Sequence, residues 1–153
     1  MIRASLLVLL VISLLVATGC GGSDTKAANA YVAATNQAVT SFENTFTSLQ
    51  SDFTATSTPQ QDVQTLNRFD AAVQSTVRLL QAIRPPASVS ALHRRLVAAV
   101  EGYQPVIQQA KTGFTAVDTK AVIAARTRFS ASLANVTTKI TAQIEAINRK
   151  LRA

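Results

Sequence analysis

Apolar side chains recur along most of this chain at alternating intervals of three and four residues, and the pattern breaks at only a few points. From Thr25 to Phe53 the ridge is Tyr31, Ala38, Phe42, Phe46, Leu49 and Phe53. A 3.5-residue period marks the packed face of an α-helix, and Asp24 precedes it as an expected N-cap. The polar run Thr54-Ala55-Thr56-Ser57-Thr58 then intervenes. Thr58, Pro59 and Gln61 spell a helix start: a hydroxyl cap, a proline at the first helical position, and a glutamine that completes a capping box. The second ridge is Val63, Leu66, Phe69, Val73, Val77, Leu80 and Ile83. It must stop near Arg84, because Pro85-Pro86 disfavours helical geometry in the residue before it.

A third helix is expected from Ala87 or Ser88, with Val89, Leu92, Leu96, Val100, Tyr103, Ile107, Ala110 and Phe114 on its ridge. Pro105 has no N–H to reach the Glu101 carbonyl, which predicts a kink between Gly102 and Pro105. Gly113 is expected as the C-terminal glycine, closing the helix near Thr112 with Phe114 folding back, although the ridge continues to Val117. Asp118 or Thr115 then caps a fourth helix, whose ridge is Val122, Phe129, Leu133, Val136, Ile140, Ile144, Ile147 and Leu151. Four helices of roughly 25 to 33 residues would each be about 40 to 50 Å long. Near-equal lengths and short connections predict an all-α fold, an antiparallel up-down-up-down four-helix bundle over residues 26–153, with crossing angles near about +20°. Three packed helices with one loose helix is the alternative.

The first 19 residues follow another pattern. Arg3 brings one early positive charge, and Ala4 to Thr18 is uncharged and dominated by Leu, Val and Ile. About fifteen apolar residues suit the hydrophobic region of a secretory signal peptide and fall short of the ~20 needed to span a membrane. Small residues follow, Ala17-Thr18-Gly19, and then Cys20, the one cysteine of the chain. Val16-Ala17-Thr18-Gly19-Cys20 resembles the lipobox of bacterial lipoprotein precursors, with Ala17 standing where Leu is commonest in that pattern. The resemblance covers the leader and Cys20 alone. It implies a diacylglyceryl group on the Cys20 thiol and cleavage between Gly19 and Cys20. The mature protein would then be lipid-anchored on the extracytoplasmic face of a bacterial cell membrane.

Physical chemistry points the same way. An unpaired thiol in an exported protein is exposed to oxidation unless it is consumed. Each buried acyl methylene contributes roughly 0.8 kcal/mol, so two chains anchor stably where one binds only marginally. The expected organisation is a signal peptide at 1–19, a lipidated cysteine and flexible leash at 20–25, and the helical domain at 26–153.

Composition narrows the function classes. Hydrophobic residues make up 48% of the chain and charged residues 15%, which with the periodicity excludes a disordered mature region. Formal net charge is +7; loss of the leader removes Arg3 and leaves 14 basic against 8 acidic side chains, a balance of +6. Such a balance suits anionic partners. Basic clusters interleaved with aromatics are missing, so nucleic acid is not an expected partner. The expected partners are the membrane, through the lipid anchor, and an envelope protein or anionic polymer.

No pattern in the chain spells catalysis. His93, in "LHRRL", is the sole histidine, and with Leu92 and Leu96 taking the ridge it is expected on the flank or surface. One histidine and one cysteine cannot assemble a zinc-type site, so no metal or other cofactor is expected. No two acids stand at i,i+3 or i,i+4, and there is no phosphate loop or nucleophile elbow. A non-enzymatic binding protein is therefore expected.

One feature of the fourth helix is organised. At 100° per residue, Lys120, Arg128, Lys139, Arg149 and Lys150 fall within one third of the circumference, a stripe suited to an anionic surface. The competing account is a solvated face whose last turn complements the helix dipole. Pro105 and Gly102 raise a second function class, a carrier holding a small apolar ligand between splayed helices. The Thr54 to Pro59 loop offers hydroxyls to O-linked sugars, while the sequon Asn135-Val136-Thr137 falls mid-helix and is discounted.

Overall fold

The computed structural model describes residues 22–54 and 56–152, with side chains from Thr25 onward. The helices are α1 (Gly22–Ser51), α2 (Pro59–Ala82), α3 (Ser90–Glu101), α4 (Tyr103–Phe114) and α5 (Thr119–Arg152), with a single 3-10 turn at Ala87–Val89 before α3. No strand occurs among the described residues. The fold is all-helical, and α3 and α4 are the two halves of one bent helix, so four helical rods make the domain.

The local start signals act as the side chains dictate. The Gln61 N–H donates to Thr58 Oγ1 at 3.2 Å, and the Thr58 N–H donates to Gln61 Oε1 at 2.8 Å, closing the capping box around Pro59. Asp118, rather than Thr115, caps α5: its carboxylate accepts from the N–H groups of Lys120 and Ala121 at 3.2 and 3.3 Å. Thr115 instead donates its hydroxyl to the Lys111 carbonyl at 3.2 Å, finishing α4. Asp24, expected as an N-cap, lies inside α1, because that helix starts at Gly22.

The bend falls where proline demands it. Gly102 keeps right-handed backbone angles (φ −57°, ψ −14°), and its N–H is shared between the carbonyls of Ala98 and Ala99 at 3.1 and 3.2 Å. This tightened turn ends α3, and Pro105 sits in the first turn of α4, exposed. A Cβ at Gly102 would meet the Ala99 carbonyl oxygen at 3.0 Å, so the small residue suits the tight turn.

Gly113 corrects the expected boundary. The helix runs through it to Phe114, and no glycine among the described residues has positive φ. Its role is close approach: a Cβ there would fall 2.5 Å from Ala125 Cβ on α5. The absent side chain lets α4 and α5 touch, which is why the ridge continues into Phe114, 1% exposed.

α1 packs on α2, α2 also on α3 and α4, and α5 on α3, α4 and the 3-10 turn. The buried core draws on every helix, with Leu66, Val73, Leu80, Val89, Leu96 and Ile107 fully enclosed. Burying each such side chain contributes roughly 1.5 to 3 kcal/mol. Two aromatic groups hold different levels. Phe42, Phe46, Phe69 and Tyr103 pack with ring centroids 4.9 to 6.1 Å apart. Phe53, Phe114 and Phe129 meet edge to face at 5.7 to 6.1 Å.

Candidate functional site

Cys20 and Gly19, the expected lipidation and cleavage positions, lie outside the described residues, as does the whole leader. No helix among the described residues is long and apolar enough to cross a membrane. The expected stripe is on the surface: Lys120, Arg128, Lys139, Arg149 and Lys150 are all exposed. Its members are not focused on one spot, since Lys120 and Lys150 stand about 45 Å apart along α5 at 1.5 Å per residue. Arg149 is also engaged, 3.7 Å from Glu145 one turn back.

His93 departs from expectation. It is 5% exposed and bridges three helices. Nε2 lies 3.0 Å from the Leu80 carbonyl and Nδ1 3.2 Å from the Tyr31 hydroxyl. A carbonyl can only accept, so Nε2 carries the proton and Nδ1 accepts from Tyr31 O–H. The Leu80 carbonyl also takes the Ile83 N–H at 3.0 Å, so the histidine helps satisfy the open C-terminal end of α2. Burial pushes the imidazole below its ordinary value of 6.5, partly opposed by the Leu80 hydrogen bond. Spacing carried the signal for this placement. Val89, His93, Leu96, Val100, Tyr103, Ile107, Ala110 and Phe114 alternate four and three without a fault, whereas Leu92, half-buried, breaks that alternation.

A second buried polar group is Asp62, 1% exposed in the first turn of α2. It accepts from Ser57 Oγ at 2.7 Å and from the Arg126 guanidinium of α5. Arg126 further donates to the carbonyls of Thr54 and Ser57 at 3.3 and 3.4 Å, and lies 5.8 Å from the Phe114 ring centroid. One guanidinium therefore ties the 54–58 connection to α2 and α5. Arg126 Nε is buried without a partner, and no local pattern could have announced the pair, whose members are 64 residues apart.

Tyr103 forms the third contact. Thr137 donates its hydroxyl to the Leu133 carbonyl at 3.0 Å, so the Tyr103 hydroxyl, 2.8 Å away, is the donor to Thr137 Oγ1. Burial raises the Tyr103 phenol above its ordinary value, Thr137 opposes that shift and Glu43 adds to it.

A partly open cavity of about 20 Å³ lies between α4 and α5, bordered by Ala110, Gly113, Ala125 and Phe129 and reaching the exposed Gln109 and Arg128. That is room for one water. The larger hollow, about 920 Å³, is an open polar depression beside Asp52, Thr54, Ser57 and Arg68. Tyr103 and Ile107, the core residues beside the bend at Gly102 and Pro105, are 2% and 0% exposed and border neither space. No three metal-binding side chains converge among the described residues. Comparison with family models, curated proteins and solved structures finds no match to this chain.

Proposed function

We propose that this chain is the precursor of an exported bacterial lipoprotein, held at the outer face of the cytoplasmic membrane by lipid on Cys20. Its non-enzymatic helical domain binds a partner in the envelope. The observation that carries this reading is the lone thiol of Val16-Ala17-Thr18-Gly19-Cys20, placed straight after an uncharged apolar run that follows Arg3.

Within this reading the domain is an up-down-up-down antiparallel bundle. Three sets of contacts support it. Tyr31, early in α1, meets His93 at the start of α3, and His93 meets Leu80 at the end of α2. Phe53 follows α1 and meets Phe114, the last residue of α4. Along α5, Phe129 faces Phe114 and Thr137 faces Tyr103, so α5 runs against α4. The carrier reading finds less support, because the level of Tyr103 is filled by rings.

Acyl labelling tests the anchor. Cells expressing the chain with radiolabelled palmitate should label it, and Cys20→Ala should abolish the label and leave unprocessed precursor. Unchanged labelling of the variant would end the lipoprotein reading.

A further inference from the structure

Charge is spread unevenly along the length of the rods. Toward the 54–58 connection three acids are matched by bases, Asp52 with Arg68, Asp62 with Arg126, and Asp70 with Lys111 at 3.2 Å, while Asp118 caps α5. The opposite end gathers the start of α1, the end of α2, the start of α3 and the end of α5. There Arg149, Lys150 and Arg152 fill the last turn of α5. Arg84 follows α2, Arg94 and Arg95 directly follow His93, and Lys26 lies in the first two turns of α1; all are exposed. The acids at this end are Asp24 and Glu145, and Glu101 reaches toward it, its carboxylate accepting from Gln81 in the last turn of α2 at 3.4 Å. Among the described residues Arg84, Arg95, Lys150 and Arg152 form no ion pair, and Arg94 is bonded to the Ser90 hydroxyl at 3.0 Å.

Helix electrostatics account for only part of this collar. Cations complement the C-terminal ends of α2 and α5, but the start of α1 gains nothing from Lys26, and Arg94 and Arg95 stand near the start of α3. Like charges crowded from four chain segments repel one another in the free protein, and an anionic surface relieves that repulsion. The candidate anchor is at the same end: Cys20 precedes Gly22 by two residues, a reach of at most about 7 Å. A bilayer holding acyl chains on Cys20 therefore meets this collar first.

We propose that the basic end of the bundle docks end-on against anionic phospholipid headgroups, directing the 54–58 connection away from the membrane. The proposal rests on anchoring at Cys20 and on the up-down arrangement argued above. It assigns the α5 stripe a lesser part. In this pose Lys120, Arg128 and Lys139 lie beyond the ~8–10 Å over which salt leaves a charged surface felt. Lying flat along α5 would engage the stripe and leave Arg84, Arg94 and Arg95 unused.

Energy transfer on the lipidated full chain separates these poses. Dye is placed at Ala87→Cys, at the basic end, or at Val117→Cys, which is fully exposed between α4 and α5. The two positions are about 40 Å apart along the rods. Protein purified from membranes is reconstituted in phosphatidylcholine vesicles, with or without phosphatidylglycerol, carrying acceptor-labelled headgroups. With phosphatidylglycerol, position 87 should transfer several-fold more efficiently than position 117. Reversing Arg84, Arg95, Lys150 and Arg152 to Glu should erase the contrast, as should high salt; changing them to Gln should reduce it. Each base near the surface contributes about fivefold in affinity. Reversing Lys120, Arg128 and Lys139 should leave the contrast intact.

Equal transfer from both positions of the otherwise unaltered chain would overturn end-on docking, and so would loss of contrast on reversing the α5 stripe alone. Absence of the contrast together with retention on an anionic wall polymer through the same four residues would give this end to the polymer and overturn the membrane pose. Dye uptake by the unsubstituted chain, or its release from vesicles in high salt, would refute anchoring at Cys20 while the low-salt contrast still decides the docking. Comparable circular dichroism melts confirm that the compared variants are folded.

Discussion

Asp62 and Arg126 meet across 64 residues of sequence, one enclosed at the start of α2 and the other reaching in from α5. Their contact fixes more than two helices. Arg126 also holds two carbonyls of the 54–58 connection, and Ser57 supplies Asp62 with a second donor. Thr54 and Ser57 are thereby pinned to α2 and α5.

Removing the cation should therefore cost more than a surface ion pair does. Arg126→Ala leaves a carboxylate of 1% exposure with only the Ser57 hydroxyl. Breaking a buried pair typically costs ~3–5 kcal/mol, and because the Arg126 side chain is itself one-third exposed we expect about 2 to 4. Arg126→Lys should recover only part of this, since one ammonium cannot reproduce the guanidinium fork. Urea unfolding midpoints measure both; a loss below about 1 kcal/mol for the alanine variant would show that solvent already reaches Asp62.

His93 should make the domain less stable as solutions become mildly acidic. Its folded-state value is lowered from 6.5 by burial. The unfolded chain thus takes up a proton near 6.5 while the folded chain does not. The contribution is fully present above that value and is lost as pH falls below it, levelling off once the folded imidazole titrates. His93→Gln should flatten the wild-type difference in unfolding free energy between pH 7.5 and 5.5. A variant with the same slope as the parent would place the titrating group elsewhere.

Some signals confined to a few consecutive residues were legible in the sequence, although Asp24 and Gly113 misled as helix ends. The Thr58–Gln61 capping box and the bend before Pro105 depend on the backbone geometry of their immediate neighbours. His93 was legible in principle, because strict alternation from Val89 to Phe114 includes it; giving Leu92 the ridge position instead puts His93 on the flank. Asp62 and Arg126 were not legible, since each is an ordinary polar position of its own helix and the tertiary contact alone unites them. The α5 stripe could be drawn from angular positions on one helix. The basic end could not, because its members come from the ends of four segments.

Gly113 offers the sharpest test of packing. A methyl group there would stand 2.5 Å from Ala125 Cβ, well inside contact distance, and both atoms belong to rigid helix positions. Alanine gains about 1 kcal/mol in intrinsic helix propensity over glycine. Overpacking costs typically ~1–3 kcal/mol, so the clash should prevail and Gly113→Ala should lower stability by up to about 2 kcal/mol. Adding Ala125→Gly should remove the clash and recover most of that loss apart from its own helix-propensity cost, a non-additive outcome expected only of residues in contact. Thermal melts of the two single variants and the double variant decide the matter. Strict additivity would mean that α4 and α5 do not touch through this pair.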